Sequence, residues 1–307
     1  MSLSPTTTVA ITGVNGFVGR HLAHELRAAG RRVIGVGRDA QAVDPDVLDG
    51  GYFRADLTAG WPPLPPLSGV VHLAGHSAVG PSFEAPARYV ADNTAMLINL
   101  GQSMLAGAVV GRVIVVSSGA VYDASHDAPM DEAAPVGYSS PYVVSKVAVE
   151  GMARYYRGRG QDMVVARPFN HIGPGQGAGF LVPDLTSGLR HAMMSDGELA
   201  VGDLSTARDY TDVRDVVRAY RLMLDAELGH WVYNVCSGQA RSGTEILAIL
   251  QQNTATTSVR STLDPSRIRP SDPRVVRGVS DRLHEATGWS PVIKLETSLR
   301  DYVQDSA

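Results

Sequence analysis

Val9-Ala10-Ile11-Thr12-Gly13-Val14-Asn15-Gly16-Phe17-Val18-Gly19-Arg20 runs from a β-branched segment, through glycines spaced three apart, into a segment of helical period. Glycines at a strand-to-helix seam let the backbone turn tightly and come close to a charged group, and the free amides and positive dipole end of the helix favour an anion there. The spacing is GxxGxxG rather than GxGxxG. Its plain alternative is a simple strand–helix turn, but the strand before and the amphipathic helix after favour a pyrophosphate, and so a dinucleotide. Gly13, Asn15, Gly16, Phe17, Val18 and Gly19 are the expected contacts, with Gly19 allowing helix and strand to pack closely.

Outward from this loop, short β-branched runs at 9–12, 32–36, 70–73, 112–117 and 163–167 alternate with helix-length stretches at 16–29, 87–106 and 141–157. Strict alternation predicts an α/β fold, a Rossmann-type doubly wound parallel sheet. After Arg167 the rhythm loosens into a Gly/Pro-rich loop, 168–179, and helical segments at 180–194, 213–224 and 243–252 separated by short strands. This predicts a smaller C-terminal mixed α/β substrate lobe, so the expected division is 1–167 and 168–307, the chain being free to cross back. A ligand between the lobes would lie where open α/β sheets bind theirs. The proline run at 61–67 reads as a rigid loop rather than a PxxP ligand.

Composition narrows the function classes. The 27 basic and 31 acidic residues give a net charge of -4 with no basic block, which argues against wholesale nucleic-acid binding. Cys236 is the only cysteine, so an intramolecular disulfide and a Cys-based zinc site are excluded and no metal is expected. No stretch approaches the roughly 18 consecutive apolar residues of a membrane span, and residues 1–10 lack a basic, then apolar, leader pattern. A cytoplasmic protein is expected.

At the end of the second strand, where an acidic residue would bind the adenosine ribose of NAD, stand Gly37 and Arg38. Arg38 suits a 2′-phosphate, so NADP(H) is preferred; the neighbouring Asp39 argues the other way and NAD(H) stays open. Asp56 and Leu57 follow the third strand, and Leu73, Ala74 and Gly75 the fourth, where backbone contacts to adenine and the nicotinamide side are expected.

Tyr142-Val143-Val144-Ser145-Lys146 places a phenol and an ammonium on one helix face. With 11 Tyr and only two Lys in 307 residues, about 0.07 such pairs are expected by chance. A fixed cation favours phenolate and so lowers the tyrosine pKa, making Tyr142 an acid/base for a carbonyl or alcohol oxygen. The plain alternative is a surface helix pair. Ser118, at the end of the 112–117 strand, is placed to donate to the same oxygen as charge builds; otherwise it caps the strand.

Together the TGxxGxxG loop from Thr12, the SSxxVY segment at Ser117 to Tyr122 and the Tyr142/Lys146 pair resemble the extended short-chain dehydrogenase/reductase family, over nearly the whole chain. The segment from Arg167 through Asn170 to Gln176 is similar to the nucleotide-sugar loop of its GDP-mannose dehydratase and GDP-4-keto-6-deoxymannose reductase branch. Segments at 201–215, 233–238, 269–273 and 288–291 follow in the same order. The resemblance implies a Rossmann domain holding NADP(H), contacted also by Asn93, Tyr142 and Lys146, and a nucleotide-sugar lobe. Ser118, Asn170, Arg208 and Arg269 would hold substrate, the arginines as forked donors to its diphosphate. Asp272 would accept from ribose hydroxyls, although the family pattern more often has Glu there. A homodimer through helices 87–106 and 141–157 is implied as well.

In dehydratases of this family an acid/base pair follows the active Ser/Thr; here Gly119 and Ala120 stand there, and neither carries a proton. Dehydration is therefore disfavoured. The expected reaction is NAD(P)H-dependent reduction of a nucleotide-linked 4-keto-6-deoxy sugar, GDP-4-keto-6-deoxymannose to GDP-rhamnose, with a 4-epimerase behind it. A non-catalytic NADP-binding regulator would have little use for Tyr142 and Lys146. An enzyme of steroid or flavonoid carbonyls would have little use for the arginines.

Overall fold

The computed structural model describes residues 7–123, 125, 129–195, 197–267 and 273–306. The first half carries β1 (Thr8–Thr12), α1 (Phe17–Ala28), β2 (Arg32–Gly37), β3 (Tyr52–Arg54), β4 (Leu67–His72), α2 (Val79–Ser82), α3 (Pro86–Leu105), β5 (Val109–Val116), α4 (Pro141–Gly158) and β6 (Met163–Pro168). The second half begins with β7 (Asn170–Ile172), α5 (Leu181–Met194), β8 (Leu199–Val201), β9 (Ala207–Asp212), α6 (Val213–Asp225) and β10 (Val232–Val235). It ends with β11 (Ala240–Ser242), α7 (Gly243–Asn253), β12 (Ser261–Leu263), β13 (Val275–Val276), α8 (Asp281–Thr287) and α9 (Leu295–Asp305).

Seven parallel strands form the main sheet in the order β10-β6-β5-β4-β1-β2-β3. Their β-branched runs have no polar face because both faces are covered, as period-two alternation requires. Val9, Ile11, Val71, Ile114 and Val164 pack with Leu22 and Leu26 of α1 and with Val216 and Tyr220 of α6. Ala10, Val70, Val113, Val115 and Val165 face the other way, onto Leu97 and Leu100 of α3 and Val149 and Tyr156 of α4. The result is a doubly wound three-layer sandwich. The chain does cross back: β10, from the second half, pairs with β6 at the sheet edge, and α6 lies against α1.

The second lobe has its own core, in which α5, α7 and α9 bury Leu185, Leu189, Ile246, Leu250 and Leu299. Its mixed sheet runs β11-β9-β13 with β7 also on β9, and β8 pairs with β12. Because β7 follows β6 after one residue, the lobe is rooted at the carboxyl edge of the main sheet, where ligands of open α/β sheets sit.

Candidate active site

The loop after β1 has the form a pyrophosphate needs. Gly13 is left-handed (φ 70°), and a Cβ there would lie 3.0 Å from the Ala74 backbone nitrogen, so β1 and the loop after β4 close together only over a glycine. At Gly19 a Cβ would lie 2.7 Å from the Val14 backbone, which is why the helix approaches the strand so closely. Gly16 caps α1 without any side-chain hydrogen bond, leaving the first-turn amides for a ligand. Leu73 and Ala74 donate their amides to Thr12 Oγ1 at 3.1 Å, which fixes the second wall of the cleft.

Asn15, an expected dinucleotide contact, is also engaged within the protein. Its amide donates to Asp39 Oδ2 (2.8 Å) and the Gln41 carbonyl (2.9 Å), and its carbonyl oxygen accepts from the Val43 amide, so Asn15 ties down the loop after β2. The Asp39 carboxylate is therefore engaged inside this loop. Arg38 beside it is exposed, and Arg54, at the end of β3, donates to the Arg38 carbonyl at 3.2 Å. Sequence reasoning missed Arg54, because a three-residue strand gives almost no periodic signal. Asp56 turns back on itself, accepting from Thr58 N and Oγ1, and Leu57 is buried.

The carbonyl-chemistry end assembles from α3, α4 and β5. Tyr142 and Lys146 are both buried in α4, whose Ser140 N-cap accepts from Val143 N. Lys146 Nζ lies 5.9 Å from the Tyr142 ring centre and donates to the Val116 carbonyl at 2.9 Å. Asn93 of α3 is buried; it bonds both backbone groups of His76 and donates to Ser145 Oγ at 2.9 Å. A Cβ on Gly75 would meet Asn93 Oδ1 at 3.1 Å and Lys146 Nζ at 3.9 Å, so the expected Gly75, Asn93 and Lys146 do share one wall.

Two serines end β5, and their surroundings separate their roles. Ser117 Oγ is buried and donates to Glu150 Oε1 at 2.6 Å. Ser118 is partly open, accepts from the Ala120 amide at 3.1 Å, and has its hydroxyl beside the Tyr142 phenol. One expectation is corrected here. In the protein alone the Tyr142 phenol stands above its ordinary range because burial penalises phenolate, and the nearby Ser118 hydroxyl only partly offsets this. Burial likewise pushes the Lys146 ammonium down to about 8, with the Glu150 charge pulling it up.

In the second lobe, Asn170 is exposed at the start of β7, opposite Tyr210 of β9, and Arg208 lies two residues before Tyr210 on the same face. Arg208 Nη1 donates to the Ala207 and Pro273 carbonyls, which sets the direction of its side chain. The alternate residues of that strand point inward: Asp209 accepts from Ser237 N and Oγ, Gly238 N and Gly278 N, locking β9 to two neighbouring loops. Arg269 and Asp272 lie outside the described residues. Among the described residues no group of three or more His, Cys, Asp or Glu side chains is placed to hold a metal.

A doubly wound sheet with a glycine-built anion cradle, and a buried Tyr/Lys pair beside a serine at the next strand end, define a dinucleotide-dependent enzyme of carbonyl and alcohol chemistry. The chain belongs to the NAD dependent epimerase/dehydratase family, whose model matches residues 9–236. It is 38% identical to a GDP-6-deoxy-D-mannose reductase of Pseudomonas aeruginosa, covering 98% of this chain and 97% of that protein. It is 28% identical to a UDP-glucose 4-epimerase of Streptomyces lividans, over 92% of this chain and 90% of the relative. Among solved structures it matches RMD from Pseudomonas aeruginosa complexed with NADPH, with a TM-score of 0.82 and 35% identity over 98% of this chain and 99% of that one. The family expected from the segments is the family found.

Proposed function

We propose that this chain is a cytoplasmic reductase that uses NADPH to reduce a nucleotide-linked 4-keto-6-deoxy sugar, GDP-4-keto-6-deoxymannose to GDP-rhamnose. The observation that carries the reading is the composition of the strand end after β5. Ser118 meets Tyr142 there, and the next two positions, Gly119 and Ala120, have no carboxyl group for dehydration. Gly119 also has no room for one, since a Cβ would lie 2.7 Å from the buried Phe169 ring. The 38% identity to a reductase named for GDP-6-deoxy-D-mannose supports the substrate, and the NADPH-bound relative supports the cofactor.

The residues fit a dinucleotide: Gly13, Gly16 and Gly19 with the uncapped α1 amides hold its pyrophosphate, Arg38 with Arg54 its 2′-phosphate, and Gly75, Asn93 and Lys146 wall the reactive end. When bound, the nicotinamide supplies the hydride that C4 of the sugar receives. As negative charge grows on the C4 oxygen, Ser118 donates a hydrogen bond to it and Tyr142 gives up its proton to it. Lys146 favours the phenolate left behind. Asn170, Arg208 and, in this reading, Arg269 hold the diphosphate, with Asp272 on the nucleotide ribose, so that remote binding energy keeps C4 in place.

Incubation with NADPH and the keto sugar is expected to consume cofactor in step with 6-deoxyhexose formed, while GDP-mannose alone gives no keto product. Dehydration of GDP-mannose, or interconversion of two hexoses without net loss of NADPH, would move the assignment to dehydratase or 4-epimerase. The same reading includes a homodimer through α3 and α4, beside which Phe83, Tyr138 and Val144 leave apolar surface exposed. Light scattering at micromolar concentration is expected to give twice the chain mass; a monomer there would refute that interface.

A further inference from the structure

Tyr142, Lys146 and Glu150 recur every four residues along α4 and form one buried stripe. The end of β5 answers it with three consecutive residues. The Val116 carbonyl takes Lys146 Nζ, Ser117 Oγ donates to Glu150, and Ser118 meets Tyr142. The Glu150 carboxylate is also clamped by Arg167 of β6, which donates Nε to Oε1 at 2.9 Å and Nη2 to Oε2 at 2.6 Å. Both side chains are nearly inaccessible, Glu150 at 6% and Arg167 at 4%, and the guanidinium lies 4.8 Å over the Tyr122 ring. Stability alone is a weak reason for such a pair, because well-packed apolar residues often serve equally well.

Resting on the reading of Tyr142 and Lys146 as the acid/base pair, we propose that Glu150 is their positioning residue. It supplies the counter-charge that lets a buried ammonium persist one turn from it, and through Ser117 it fixes the strand end that presents Ser118. Arg167 holds the carboxylate in the ionised, forked geometry this requires. The other ionisable groups around the stripe do not substitute for it. His72 of β4 is held neutral by burial, which pushes it to about 3, and the Tyr122 phenol, facing Arg167, is pushed up to about 12. Tyr89 of α3 packs against Tyr142 and Val143.

The chain has only two lysines, Lys146 and the exposed Lys294, so lysine labelled with ¹³C at Cε reports Lys146 directly by NMR, with Lys294 as internal reference. Glu150→Gln is expected to move the Lys146 titration down by about one pH unit or more, the scale of a lost opposite charge at close range. Glu150→Asp, which keeps the charge, is expected to restore most of it. If Glu150→Gln does not fold because Arg167 is left unpaired, Arg167→Met with Glu150 intact reads the same field from the other side: it removes the cation that offsets the carboxylate and is expected to move the Lys146 titration up. An unchanged Lys146 titration in the folded variant overturns the proposal. In turnover, kcat is expected to fall about ten-fold with its pH profile displaced and KM for the keto sugar little changed, as loss of a group serving only the transition state requires. A merely structural role would lower yield or thermal stability and leave the profile in place, which would also overturn it. Absence of reductase activity in the wild type would refute the substrate reading and leave the NMR test of Glu150 standing.

Discussion

In the proposed reaction Tyr142 is subject to two opposing demands: it must be buried beside the reacting carbon, and it must part with a proton there. Burial raises its pKa in the protein alone, so the direction of proton transfer is set by the oxygen that accumulates charge, with Ser118 and Lys146 completing the field. Tyr142→Phe keeps the ring and removes the proton, so kcat is expected to fall by at least about 10²-fold with cofactor affinity nearly unchanged. Near-normal turnover by the Phe variant would refute the role. Arg38→Ala is expected to weaken NADPH binding by about 1.5–3 kcal/mol, the scale of a lost charged hydrogen bond, and to leave NADH binding as it was. Fluorescence titration with the two cofactors distinguishes this from a general loss. His72 gives a pH dependence of another kind. It is buried, bonded to Thr12 Oγ1 at 2.9 Å, and pushed from 6.5 to about 3 by burial. Between those values the unfolded chain binds a proton that the folded chain does not. Its contribution to stability is therefore complete above about pH 6.5 and falls by about 1.4 kcal/mol per unit as the pH drops toward 3. Urea midpoints at pH 7, 6, 5 and 4 for wild type and His72→Gln measure it; equal slopes would refute the assignment.

At the scale of elements, the seam between β1 and α1 carries the tightest constraint. A methyl at Gly19 meets the carbonyl of Gly13 and the backbone of Val14, neither of which yields as a flexible side chain would. Gly19→Ala is expected to cost about 1–3 kcal/mol and to lose dinucleotide binding, whereas alanine at Gly151, open on the outer face of α4, is expected to be neutral or slightly stabilising. Thermal melts with and without NADPH compare the two. This seam was legible because strand, glycines and helix are contiguous, and Tyr142 with Lys146 was legible because a helix converts spacing into a shared face. The strands of residues 70–73 and 112–117 were read too late by three residues. β4 and β5 shift register between Leu67 and Gly69, and Gly111 lies too close to the Ser68 backbone for any side chain, so the alternation is broken where the strands begin. Glu150 and Arg167 were out of reach for a different reason. Their pairing joins a helix to a strand that follows it, and nothing in the spacing of either segment announces a long-range ion pair. In the 208–215 segment the acidic residues are structural: Asp209 locks loops, Asp212 caps α6, and Asp215 accepts the Val292 and Ile293 amides. Arg208 and Tyr210, alternating with Asp209, hold the face toward Asn170.

At the scale of the molecule, the expected division at residue 167 separates two folding units only if each half buries its own apolar surface. The second lobe core around Leu189, Ile246 and Leu299 is self-contained, but the core on the α1 face of the main sheet is shared. Val9, Ile11, Leu22 and Leu26 from the first half pack with Val213, Val216, Tyr220, Met223, Tyr233 and Trp289 from the second, all of them buried. Asp215 and Arg218 then fasten α6 to the chain around Ser290, and Arg112 of β5 donates to the carbonyls of Met223 and Ala226. A fragment of residues 1–167 would lose β10 from the sheet edge and the α6 cover from α1. With about 1.5–3 kcal/mol associated with burying each large apolar side chain, exposing half a dozen of them costs about as much as the whole stability of a typical domain. The fragment is therefore expected to be expanded or aggregated, with no cooperative urea transition. A fragment of residues 1–236, which restores α6 and β10 and matches the extent of the family model, is expected to recover part of the cooperativity. Circular dichroism melts and size-exclusion profiles of the two fragments beside the full chain decide it. A 1–167 fragment that unfolds cooperatively and binds NADPH would show that the first half is an autonomous domain and that the shared core is only a contact between finished lobes.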